Sequence, residues 1–167
     1  MSAEQGRRAP AILVEGDPLR CLRGIESADP ASEATTDLLL IGVDVRRVRS
    51  TAGLLGSLRG PARRVRRFPA AVPQIIVVLE LADDPEPWVP PLCQRWAEAL
   101  HRHIQRGRGV DAGVTVLLAG PRTDSRLVAG RISELAHRPP GLTPAIVLDA
   151  GDISCQTIAQ ASTNDFI

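Results

Sequence analysis

The side chains of this chain that could do chemistry fall into a few groups: one strand-terminal acid, a run of arginines, an acidic pair and two histidines. Asp44 closes the apolar run Leu38–Asp44. A carboxylate at the carboxyl end of a buried strand can hold a divalent cation or a ribose hydroxyl, or can cap the adjoining turn. Directly after it, Arg46, Arg47, Arg49, Arg59, Arg63, Arg64, Arg66 and Arg67 lie in a segment that contains no acid. Charge packed this densely without compensation repels itself, which implies an anionic partner: nucleotide phosphate, nucleic acid or an acidic protein face. Arg46, Arg47, Arg49, Arg63, Arg64, Arg66 and Arg67 are therefore the candidate partner-binding residues.

Other groups have a plainer reading beside the chemical one. Asp83 and Asp84 sit in a proline-rich loop, where they could pair on a metal or form a solvated turn. The turn 120–125 precedes a helix whose free N–H groups and Arg122 could cradle an anion, but Asp124 opposes an anion and suits a helix cap. His103 is placed by its spacing within the apolar stripe of its helix and His101 on the opposite side, with no acid or cysteine at a catalytic spacing. Cys21, Cys93 and Cys155 are odd in number, far apart and without a CxxC pair, so buried free thiols are expected rather than a disulfide framework or zinc site.

Composition excludes several classes. Every basic side chain other than histidine is arginine, so no Schiff-base lysine and no phosphate-loop lysine exists. Tyrosine is absent, and two tryptophans and two phenylalanines are too few for a base-stacking platform. The net charge of +1 by itself draws the chain to neither nucleic acid nor anionic lipid. The apolar runs are far shorter than the ~20 residues of a membrane span, and no signal-peptide apolar region is present, so a cytoplasmic location without membrane contact is expected.

The elements that must position these groups follow from hydrophobic periodicity. Strands are predicted at 11–15, 38–44, 63–68, 75–81, 113–120 and 145–149, and helices at 51–58, 91–105, the segment after Asp124, and 153–161. The helix after Asp124 has the inner stripe Val128, Ile132, Leu135 and Ala136. Only six residues separate 63–68 from 75–81, which leaves no room for a crossover, so these two are expected to form an antiparallel hairpin. The resulting order is an α/β (α+β) fold with a ferredoxin-like core and a mixed, partly antiparallel sheet. Residues 1–36 read as a tail with an edge strand and a linker, 37–161 as the domain, and 162–167 as a second tail.

On this order, several stretches resemble the catalytic domain of class III nucleotidyl cyclases, the adenylyl and guanylyl cyclase family. The strand ending in Asp44 is similar to the family's first strand with its metal-binding aspartate. The run from Cys93 through Trp96, Leu100 and His103 into 113–121 resembles the helix and strand that end in a Gly-Pro-like turn. Residues 130–138 resemble the helix that carries the transition-state asparagine and arginine, here Glu134 and Arg138, and 144–149 the strand that follows.

The resemblance implies vestigial catalytic positions at Asp44, Glu134 and Arg138, a metal position at Asp44, and magnesium only if Asp44 retains that role. It also shows departures. The second metal aspartate is missing, since the turn before the third strand reads Ala71-Val72-Pro73-Gln74, and the base-selecting lysine has no counterpart. In-line displacement at a phosphate with two metals needs more than one carboxylate, and Glu134 would set a negative charge near a triphosphate. The expectation is a non-catalytic, cyclase-like regulatory or interaction module, nucleotide-sensing in one version, working as a homodimer or with a heteromeric protein partner. Two rivals stand beside it: a subunit that completes a composite cyclase site with another chain, and an anion- or nucleic-acid-binding protein that uses the arginine segment.

Overall fold

The computed structural model describes residues 9–28, 36–68, 72–109, 112–137 and 145–164. Three runs of branched aliphatic residues form its centre: β2 (Leu38–Asp44), β3 (Gln74–Glu80) and β4 (Gly113–Ala119). They are apolar without alternation because both of their faces are covered, as central strands of a parallel sheet require. The edges are β1 (Ile12–Gly16) and β5 (Ile146–Asp149). All five strands run parallel in the order β1-β2-β3-β4-β5.

Side-chain alternation splits the core in two. Leu39, Ile75 and Val114 share one register row and, with Ile41, Val77 and Val116, face α1 (Thr51–Arg67) and α2 (Val89–Arg108). Leu38, Leu40, Ile76, Val78 and Leu117 face the other way, against the 3₁₀ turn Arg20–Leu22, α3 (Ser125–Ala136) and α4 (Ile158–Asn164). Among these, Leu39, Leu40, Ile76 and Leu117 are fully buried, and a side chain of this size contributes roughly 1.5–3 kcal/mol through burial.

The chain leaves β1 toward the α3 face and β2 toward the α1 face; it leaves β3 toward the α2 face and β4 toward the α3 face. Connections that part to opposite faces open a crevice at the carboxyl ends of the strands. Here this happens twice, between β1 and β2 and between β3 and β4, without any reversal of strand order.

The antiparallel hairpin and the mixed, ferredoxin-like sheet are corrected by these facts. Residues 63–67 are not a strand but the last turns of α1, and β2 and β3 pair in parallel across that helix. The alternation of arginine with Val65 was a short window on a 3.6-residue period: Leu54, Leu58, Pro61 and Val65 are the buried positions, spaced by three or four as on a helix. The Ser50 hydroxyl accepts from the Gly53 N–H at 3.2 Å and starts the helix, which Gly53, Gly56 and Pro61 do not stop. The last helix also shifts, from 153–161 to Ile158–Asn164, after a turn in which Ile153 alone is buried.

Candidate functional site

Acids mark the carboxyl edge of the sheet: Asp17 just after β1, then Asp44, Glu80 and Asp149 at the ends of β2, β3 and β5. Two glycines allow β1 and β2 to approach there. Gly16 has φ of +83°, and a Cβ on it would collide with the Gly42 carbonyl oxygen, while one on Gly42 would collide with that of Asp17. The Asp17 carboxylate accepts from the Asp44 N–H at 2.8 Å, and the crevice beside it, about 340 Å³, is lined by Asp17, Pro18, Asp44, Arg46 and Arg47.

Asp44 is engaged by the arginine two residues on. Its carboxylate accepts from Arg46 through Nε at 3.0 Å, Nη2 at 2.6 Å and the backbone N–H at 3.1 Å. These bonds hold its pKa down to about 2, since hydrogen bonds to the charged form favour it. Glu80 is the second acid at this edge, and its side chain is only 3% exposed. It accepts from the Arg20 N–H at 2.8 Å and Arg20 Nε at 3.1 Å, with Arg46 Nε at 3.8 Å. A carboxylate so buried is tolerable only with such partners.

Between the loops that follow β3, β4 and β5 lies a larger cleft, about 610 Å³, whose lining includes Asp83, Asp84, Arg122, Asp124 and Asp149. Two of these acids serve the backbone: Asp124 caps α3 by accepting from the Arg126 N–H at 2.9 Å, and Asp149 exchanges side-chain-to-backbone bonds with Asp152 at 2.7 and 2.9 Å. No group of three or more histidine, cysteine or acid side chains is gathered for a metal among the described residues. Four carboxylates against one guanidinium also make this cleft a poor place for a triphosphate.

The arginine segment divides. Arg46 is bound to Asp44, Arg47 lines the β1–β2 crevice, and Arg49 lies beside a pocket at the other end of α1 from Arg67. Arg64 forms a two-pronged ion pair with Glu15 of β1 and stacks over Phe68 at 5.2 Å. Arg59, Arg63, Arg66 and Arg67 are exposed along α1, together with Leu55, which at 41% is the only exposed large hydrophobic side chain among the described residues. Exposed Arg102 and Arg106 follow near the end of neighbouring α2, where Glu98 sits 3.8 Å from Arg102.

The remaining candidates are placed as follows. Glu134 accepts from Arg131 Nη1 at 2.9 Å; Arg138 lies outside the described residues. His103 is exposed, and His101 is the half-buried one, its Nδ1 2.8 Å from the Ala112 carbonyl oxygen. On α2 the buried positions are Val89, Cys93, Ala97, Leu100 and Ile104, while Trp96 is partly buried and Ala99 exposed. Burial raises the Cys93 thiol to about 12 and, aided by Glu80, the Cys21 thiol to about 11. Cys155, expected buried, is exposed. Asp17, Arg20 and Glu80 escaped the sequence reading, although Glu80 ends an apolar run just as Asp44 does.

No helix of the described residues is long and apolar enough to cross a membrane. Comparison with protein-family models, with curated proteins and with solved structures finds no match to this chain.

Proposed function

We propose that the protein is an interaction module that docks an acidic segment of a partner protein on the exposed face of α1. The observation that carries this reading is the row Leu55, Arg59, Arg63 and Arg67, spaced by four residues on a helix without a single acid. Four residues rise about 6 Å, so successive members stand one above another on the helix surface. A mixed row of one apolar anchor and several guanidiniums suits an acidic amphipathic helix: arginine forks carboxylates, and an apolar residue supplies a desolvated centre. A phosphate backbone offers nothing to Leu55, which is why a protein is favoured over nucleic acid.

The absence of chemistry is part of the proposal. Asp44, Glu80 and Glu134 are each engaged by an arginine, and two thiols are buried. The cyclase resemblance loses its topological support with the hairpin, and the composite-site version depends on Arg138. Neither adds to the reading.

The test is binding of a leucine- and glutamate-bearing helical peptide to the protein and to the variant Arg59→Gln/Arg63→Gln/Arg67→Gln. A loss of about tenfold or more is expected, given three charge-assisted contacts. Unchanged peptide affinity in the folded variant, or preferential binding of duplex DNA at 0.15 M salt, overturns it.

A further inference from the structure

We infer that the pocket between the loops following β2 and β3 binds a small amine with a short apolar body, inserted body first. Its volume is about 140 Å³, close to the ~150 Å³ of an apolar cavity that accepts benzene. Val45 and Leu54 form a fully buried floor, and partly buried Leu81 and Trp88 complete an apolar wall. The rim is different. Asp83, Asp84 and Glu86 are exposed there, opposed by the single guanidinium of Arg49.

Apolar depth beneath an acidic mouth sets both the charge and the orientation of the occupant. An anion would meet three carboxylates, and a neutral body would gain nothing from the rim. A cation held at the mouth gains from the carboxylates. A lysine or arginine side chain reaching in from a partner would enter cation first and place its charge against Val45 and Leu54, where it has no acceptor. An ammonium carried on a compact ring or short alkyl body avoids that, because the body fills the floor while the charge stays at the rim. The same chemistry exists in a free amine and in a peptide amino terminus with an apolar first residue. This site is separate from the α1 face and does not depend on it.

The measurement is titration of the full chain, read by Trp88 fluorescence in a Trp96→Phe background. The probes are benzylamine, benzyl alcohol, phenylacetate, agmatine and phenylalaninamide. Benzylamine should saturate the signal, with benzyl alcohol about tenfold weaker or worse, a difference of 1.4 kcal/mol, and with phenylacetate and agmatine silent. Phenylalaninamide binding more tightly than benzylamine assigns a peptide terminus, and weaker binding assigns a free amine. The variant Asp83→Asn/Asp84→Asn/Glu86→Gln should lose about tenfold for benzylamine and nothing for benzyl alcohol. Arg49→Gln should tighten benzylamine, which provides a test should the triple variant fail to fold. Equal binding of benzylamine and benzyl alcohol, agmatine outcompeting both, or an Arg49→Gln variant that binds benzylamine no better overturns the inference.

Discussion

At the carboxyl edge of the sheet, arginines meet acids; along the outer face of α1 they meet solvent. Arg20 and Arg46 both reach Glu80, and Arg46 also grips Asp44. Arg59, Arg63 and Arg67 stand on a helix that has no acid of its own. The same residue type thus does two jobs. Where a strand ends in a carboxylate beside a parting of loops, a guanidinium makes a buried charge tolerable. Where the helix has already buried Leu54, Leu58 and Val65, a guanidinium adds little to folding and is left available to something else.

The carboxyl edge depends on the contact between Gly16 and Gly42, so Gly16→Ala should destabilise the protein by about 3 kcal/mol or more, combining a left-handed φ with a backbone collision. Chemical denaturation measures this, and a loss under 1 kcal/mol would show that β1 gives way easily. Leu40→Ala, in the fully buried centre of β2, should cost ~2–5 kcal/mol and leave peptide binding at α1 intact. Binding lost in the still-folded variant would tie the α1 face to the opposite core.

Alkylation of the native protein at pH 8 should modify Cys155 alone, because Cys21 and Cys93 are buried and their thiols are raised to about 11 and 12. Mass spectrometry showing modified Cys93 in folded protein would mean that the α2 layer opens. Smallest is the acid limb. The Asp44 pKa, about 2 in the fold, lies below the ~3.9 of an unfolded aspartate. Its stabilisation is therefore present above pH 4 and is lost as pH falls from about 4 to about 2. The carboxylate is 37% exposed, so the amount is at most ~1 kcal/mol after screening. In Arg46→Gln the Asp44 carboxyl carbon, followed by NMR, should titrate nearer the ordinary value; an unmoved midpoint would assign the shift elsewhere.

Much of the sheet was legible because central parallel strands write themselves as unbroken apolar runs: β2, β3, β4 and the edge strands were each read within a residue or two. The Asp124 cap and the inner stripe of α3 were legible for similar local reasons. What failed was the second half of α1. Arginine is a good helix former, yet arginines flanking a single valine mimic strand alternation over five residues, and only the longer row through Leu54, Leu58 and Pro61 shows the true period. That one misreading generated the hairpin, the mixed sheet and with them the topology on which the cyclase resemblance rested. The site was less legible. Asp44 was found, but its partner Arg46, two residues away, was assigned to an outside ligand, and Glu80–Arg20 depends on a contact between residues sixty positions apart, which no local pattern encodes.

The most direct measurement sets the two groups of arginines against each other. Arg20→Gln/Arg46→Gln and Arg59→Gln/Arg63→Gln/Arg67→Gln are compared for melting temperature and for affinity toward the acidic helical peptide across a salt series. The first variant should melt about 3–8 °C lower, since it leaves Glu80 without its cations, at ~2–4 °C per kcal/mol for a chain of this size. It should still bind the peptide with the wild-type salt dependence. The second should melt within about 3 °C of wild type and lose both the affinity and most of its salt dependence. A carboxyl-edge variant that loses binding, or an α1 variant that binds as before, would contradict the division of labour between the two groups.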